Sequence, residues 1–304
     1  MGWTHIPSLL RHSERGMTLL EALVASTLSL LIVGMTVSAT TANRAAFAYD
    51  AVRTNLNQNL RGATDVVAAE LRQAGERLPP GFPAIEITNG TPGDTLIVRR
   101  NLINEVLTLC QALTTTSTTS AYITSTAAGR PPACTFGSQT VNYNAWSTYR
   151  LAQAGYTAPA YIYDFSTRKG QFFTYSSENT SGSVQRIIRS GGSWTNAYTA
   201  YNSAIYIMRE WKFSLSTTAG QSDLLQVYQD GATTPSYNVA FGLATFQIRA
   251  LMQDGTSKTS FTNADSWTLL SAVELTATGS SNYRERPITS TLVTRVFPRN
   301  ILSN

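Results

Sequence analysis

Histidine is nearly absent from this 304-residue chain: the only two, His5 and His12, lie at its start. Beyond residue 12 there is no imidazole, which excludes Ser-His-Asp and Cys-His catalysis and His-ligated metals from everything downstream. Charge is scarce as well, at 13% of residues, and lysine occurs only at positions 169, 212 and 258. The basic side is therefore almost all arginine, and the net charge of +5 is scattered rather than blocked. Arg99 with Arg100, Arg186 with Arg189, and Arg284 with Arg286 come nearest to clusters. Such a mild excess permits contact with DNA or anionic lipid without arguing for it. No DxDxDG loop or GxxxxGK(S/T) phosphate loop occurs, and the carboxylates beyond Glu76 are well separated in sequence. Trp146, Trp194, Trp211 and Trp267 read as core and sheet packing in preference to a sugar- or base-stacking face. Composition thus offers no cofactor, no metal site and no catalytic set, and the chain reads as a non-enzyme.

What is present is one long apolar run. From Met17 to Ala39 every residue is apolar, small or hydroxylated except one carboxylate, Glu21. A span of roughly 20 residues crosses a hydrocarbon core of about 30 Å. A carboxylate in such a helix costs about 2.5–3.5 kcal/mol on insertion scales, so something must offset it. Immediately upstream stand Gly16 and a short leader carrying Arg11 and Arg15 against Glu14. The two arginines keep the leader on the cytoplasmic side and place the rest of the chain outside.

The order Gly16-Met17-Thr18-Leu19-Leu20-Glu21, followed by the apolar run, resembles the type IV prepilin processing site. The resemblance implies cleavage after Gly16 by a membrane peptidase and methylation of the new N-terminus at Met17. It implies that Glu21, fifth in the mature chain, pairs with the terminal ammonium of a neighbouring subunit as the subunit docks into a fibre. Met17 departs from the family, in which most members begin with phenylalanine. Two other readings compete. A secretory signal cut near Val37-Ser38-Ala39 is disfavoured because its apolar core should be only about 7–15 residues long. A plain membrane anchor explains the length but leaves Gly16 and Glu21 without a role.

The helix is expected to continue past Ala39. Tyr49, Val52, Leu56, Leu60, Ala63, Val67, Leu71 and Ala74 recur at spacings of three and four, with Arg53, Asn57, Arg61, Asp65 and Arg72 between them. Gly75 and Pro79-Pro80-Gly81 end it. One helix over 18–74 would measure roughly 85 Å; the alternative is two helices broken near Thr40–Asn43. Cys110 and Cys134, on the outer side, are expected to form one disulfide worth on the order of 3 kcal/mol. Two buried free thiols are the alternative.

From Ile85 the pattern turns to short β-like runs. Ile85–Thr88 and Thr95–Arg99 flank a turn and predict a hairpin, as do Tyr161–Phe165 and Gln171–Tyr175; Glu105–Leu109 is a further run. Thr114–Arg130 is low in complexity and predicts an exposed Thr/Ser loop. Ala204–Leu215, Leu224–Gln229, Val239–Met252, Trp267–Ala277 and Ile288–Phe297 predict one meander packed on the amphipathic half of the helix. In this last third, Phe241-Gly242-Leu243, Phe246-Gln247-Ile248, Asp254-Gly255, Trp267 and Ser271–Leu275 stand in an order similar to PilW-type minor pilins and, more distantly, J-type pseudopilins of type II secretion.

The expected class is α+β and type IV pilin-like: a long N-terminal helix, apolar then amphipathic, on a mainly antiparallel sheet domain. Its parts are a leader (1–16), a transmembrane and assembly half (17–39), an amphipathic half (40–78) and an extracytoplasmic β-rich domain (79–304). The resemblance implies a minor pilin that helps to initiate or cap a fibre, supporting motility, adhesion or DNA uptake. Implied partners are other minor and major pilins, the prepilin peptidase and methyltransferase, and the inner-membrane assembly platform. The implied location is the inner membrane, then a pilus or a periplasmic pseudopilus. A secretion pseudopilin and a DNA-binding or adhesive tip pilin are the alternatives.

Overall fold

The computed structural model describes residues 18–116, 119–216, 224–284 and 286–303. Gly16, Met17 and the leader therefore lie outside the described residues. One uninterrupted helix, α1 (Leu19–Gln73), occupies the first part, with no break near Thr40–Asn43. The Thr40 and Thr41 hydroxyls donate back to the carbonyls of Thr36 and Ser38, at 2.7 and 2.9 Å, so these residues stay helical and leave no polar group idle. The chain divides into two compact units between Val52 and Arg53.

Within the second unit, Leu56, Leu60, Ala63, Val67 and Leu71 of α1 are buried, while Arg53, Arg61, Asp65 and Arg72 face water. Burying each leucine contributes about 1.5–3 kcal/mol. Gly75 ends the helix with φ at +77°, its N–H donating to the Arg99 carbonyl at 3.0 Å. A Cβ there would strike the Trp267 ring. Two of the last carbonyls, Gln73 and Ala74, accept from the Asn300 side chain at 3.3 and 3.0 Å.

Beyond α1, β1 (Ile85–Thr88) and β2 (Thr95–Asn101) form the expected hairpin. Next come β3 (Leu107–Thr108), β4 (Ser120–Tyr122) and a second helix, α2 (Thr140–Leu151). Then β5 (Ala158–Asp164), β6 (Lys169–Ser181) and β7 (Val184–Arg189) pair in succession. The long β8 (Ser203–Leu215) bonds to β2, β3, β5 and β9 (Leu225–Gln229), and β10 (Tyr237–Ala240) extends β9. The remaining strands are β11 (Leu243–Met252), β12 (Ser257–Lys258), β13 (Leu270–Tyr283) and β14 (Arg286–Val296).

Among the described residues two antiparallel sheets result: a 10-stranded one along β1-β2-β8-β5-β6-β7-β4, with β3, β9 and β10 off that path, and a 4-stranded one, β12-β11-β13-β14. The last third is therefore not a single meander: β8 and β9 belong to the first sheet, β11, β13 and β14 to the second. The segment read as Val239–Met252 breaks at Gly242, whose φ of +74° no strand residue adopts. Asp94 joins the sheets: its carboxylate accepts from Gly90 N at 3.0 Å and from Ile248 N at 2.7 Å, while its own N–H donates to Phe246 O. The main core draws on α1 and both sheets.

Two further expectations are corrected. Thr114–Arg130 is not an exposed loop throughout, because β4 pairs with β7 and Ser120, Ala121, Ile123, Thr124 and Ser125 are buried. The helix α2 was not expected from propensity. It forms because Tyr143, Trp146 and Arg150, at helical spacing, are buried on one face. Trp146 Nε1 donates to Glu105 O at 2.8 Å, and Arg150 makes a two-pronged pair with Glu178 of β6 at 2.9 and 2.8 Å. Tyr143 and Trp146 form a second core with Trp194, Tyr175 and Ile187.

Candidate functional site

Thr18 and Glu21 open α1. The Thr18 hydroxyl accepts from Glu21 N, and Glu21 Oε2 accepts from Thr18 N, both at 3.3 Å. This reciprocal arrangement is a capping box, with the hydroxyl also donating to the carboxylate at 3.3 Å. A carboxylate in the first turn further complements the helix dipole, by about 0.3–1 kcal/mol. The Thr-x-x-Glu spacing is a cap signal that the sequence reading missed, and it supplies Glu21 with a local role that the anchor reading lacked. All contacts are long, and Oε1 has no hydrogen bond within the chain among the described residues, so the carboxylate is left half-engaged.

Every residue from 18 to 44 is exposed, including large side chains such as Leu19 at 85% and Met35 at 70%. An apolar surface of this extent marks a membrane or protein contact. α1 is long and apolar enough to cross a membrane. Its hydroxyls suit such a medium, because Ser26, Thr27 and Thr36 donate to carbonyls of the preceding turn. Gly34 has no steric reason within the chain, since an added Cβ would meet nothing within 4 Å.

Cys110 and Cys134 are joined by a disulfide with a Cα–Cα distance of 5.5 Å. Gln139, just before α2, clasps the same region: its Oε1 accepts from Thr108 N at 2.8 Å and its Nε2 donates to Ile123 O at 2.6 Å. The tryptophans are packing groups: Trp146, Trp194 and Trp267 are buried and Trp211 is half-buried.

The arginine clusters change character. Arg99 is buried; its Nε donates to Glu210 at 2.6 Å, and its Nη1 donates to Glu86 at 2.6 Å and to Pro83 O at 2.8 Å. Burial alone would lower this guanidinium's pKa, but Glu210 and Glu86 outweigh it and hold it above its ordinary value. Arg99 is thus unavailable to DNA, and two carboxylates far apart in sequence meet on one cation. On β7, Arg186 and Arg189 lie over the rings of Tyr122 and Trp194, at 5.9 and 4.6 Å. Among the described residues, no group of three or more His, Cys, Asp or Glu is placed to hold a metal ion.

No protein-family model matches the chain, and no curated protein does. Among solved structures, it is similar to a type IV-like pilin from Thermus thermophilus, at 12% identity and a TM-score of 0.38, over 81% of this chain and 96% of that one.

Proposed function

We propose that this chain is a type IV pilin-like subunit, a minor pilin that is cut after Gly16, held in the inner membrane by residues 17–39, and then extracted into a fibre. The observation that carries this reading is a single carboxylate, Glu21, in the first turn of α1, five residues past Gly16 and in a stretch that is otherwise uncharged as far as Asn43. The continuous α1, its fully exposed apolar half and a disulfide-bearing β domain support it. Glu21 receives the terminal ammonium of a neighbouring subunit, so that two charges costly in lipid become one pair. Gly34 lets a second helix approach closely, as small residues do in membrane packing. Placement among PilW-type minor pilins rests on the C-terminal residue order alone, and the role is structural, without catalysis.

Two measurements test the proposal. N-terminal sequencing of the mature chain should begin at Met17, and a start beyond Ala39 refutes it. Glu21→Leu should be cleaved and inserted normally yet be scarce in sheared fibres, because an unpaired buried charge costs roughly 3–5 kcal/mol at docking. Wild-type incorporation of Glu21→Leu would return a plain anchor to first place.

A further inference from the structure

The turn between β1 and β2, Asn89-Gly90-Thr91-Pro92-Gly93-Asp94, holds the chain's only Asn-Gly step. An asparagine side-chain amide is open to attack by the backbone nitrogen of the next residue, and a glycine there hinders the attack least, having no Cβ. Asn89 and Gly90 are both exposed, and the Asn89 side chain has no hydrogen bond within the chain among the described residues. Glycine is also what the turn requires. A Cβ at Gly90 would stand 2.7 Å from the Gly93 carbonyl oxygen, closer than real Cβ atoms approach. The fold therefore keeps the reactive step in place.

The attacking nitrogen has a base beside it. Gly90 N–H donates to Asp94 Oδ1 at 3.0 Å, inside the reach of about 2.6–3.2 Å over which a side chain takes a proton. Asp94 is 4% exposed and is fixed from the other sheet, because its Oδ2 accepts from Ile248 N at 2.7 Å and its own N–H donates to Phe246 O. A carboxylate anchored in the second sheet is thus aimed at a turn that faces water. In an unfolded chain the same proton is removed by hydroxide, and the reaction follows hydroxide concentration. A base held by the fold makes the reaction far less sensitive to pH.

We propose that Asn89 is a self-modification site, with Asp94 as the base that takes the Gly90 proton. Gly90 N bonds to the Asn89 side-chain carbonyl carbon, the bond from that carbon to the amide nitrogen breaks, and ammonia leaves with the proton passed through Asp94. Water then opens the resulting cyclic imide at either carbonyl, giving aspartate or isoaspartate. Each conversion adds a negative charge at the residue preceding the amide that Asp94 holds. The site does not depend on whether the chain enters a fibre. The test follows the full chain in detergent by peptide mapping between about pH 6 and pH 8, folded and in urea past its unfolding transition. In the folded chain the mass gain of an amide-to-acid exchange should appear at Asn89 before any other asparagine, with isoaspartate among the products. Its rate should rise by less than about tenfold across that interval, against about a hundredfold in urea, where hydroxide alone removes the proton. Asp94→Asn should bring the steep dependence back to the folded chain; the urea comparison decides the matter should that variant not fold. No modification of Asn89 in the folded chain, equal pH dependence folded and unfolded, or a shallow dependence kept by folded Asp94→Asn would each overturn the proposal.

Discussion

Glu21 has two jobs that a single substitution confounds. It closes a capping box with Thr18 inside its own chain, and in the proposed fibre it neutralises a neighbour's terminus. Glutamine can take the same place in a capping box but carries no charge. Thr18→Val does the reverse, removing the cap at a cost of about 0.5–2 kcal/mol and leaving the carboxylate intact. Glu21→Gln is therefore expected to keep membrane levels normal while fibre incorporation falls, and Thr18→Val to incorporate far better than Glu21→Gln. Quantifying both variants in membranes and in sheared fibres checks this. Normal incorporation of Glu21→Gln beside a defect in Thr18→Val would mean that the cap, not the charge, governs docking.

The β5–β6 turn is organised by Asp164. Besides the Ser166 and Thr167 amides, its carboxylate accepts from the Ser166 hydroxyl at 2.5 Å, from Thr199 N and Oγ1 at 2.7 and 2.6 Å, and from the Ser203 hydroxyl at 3.1 Å. One side chain thus ties β5 to the entry of β8. Burial would push this carboxyl up, but hydrogen bonds from Ser166, Thr199 and Thr167 outweigh it and hold it well below the usual carboxylate range. A depressed folded pKa means that the stabilisation is complete above the unfolded value, about 4, and drains away as pH falls through the folded one. Asp164→Asn is expected to cost at least about 2 kcal/mol at neutral pH. It should also flatten the loss of stability below about pH 4, since this contribution is then missing at every pH. Urea unfolding across that interval measures both effects, and an unchanged acid slope would assign the sensitivity elsewhere.

Across the whole molecule, the disulfide closes the chain segment that carries the short strand β4. Cys110 follows β3 and Cys134 lies in the 3₁₀ turn that leads toward α2, 24 residues apart. Both are buried, so a reductant reaches them only when the surrounding fold opens. Intact mass of the unreduced, alkylated protein should show no label. Replacing both cysteines with serine should lower unfolding free energy by about 3 kcal/mol. Two alkylated thiols without reductant would refute the link.

The long helix, its end at Gly75 and the β1–β2 and β5–β6 hairpins were legible in the sequence, because each depends on spacing within a few neighbouring residues. Val67 and Leu71 can be assigned to a buried face from period alone. The Thr18–Glu21 box is equally local, though it was not read from the sequence. Partition of the strands between two sheets was not legible, because it is set by pairings and contacts between distant segments, such as Asp94 with Ile248 across 154 residues. Nor was α2, whose modest helix propensity is overridden by the docking of Trp146 and Arg150. Arg99 looked like half of a basic patch until Glu86 and Glu210 were brought to it from separate strands. Sequence by itself determined the elements whose physics is local; tertiary structure alone decided which polar groups were buried, paired or left open, because those partners meet only when distant strands do.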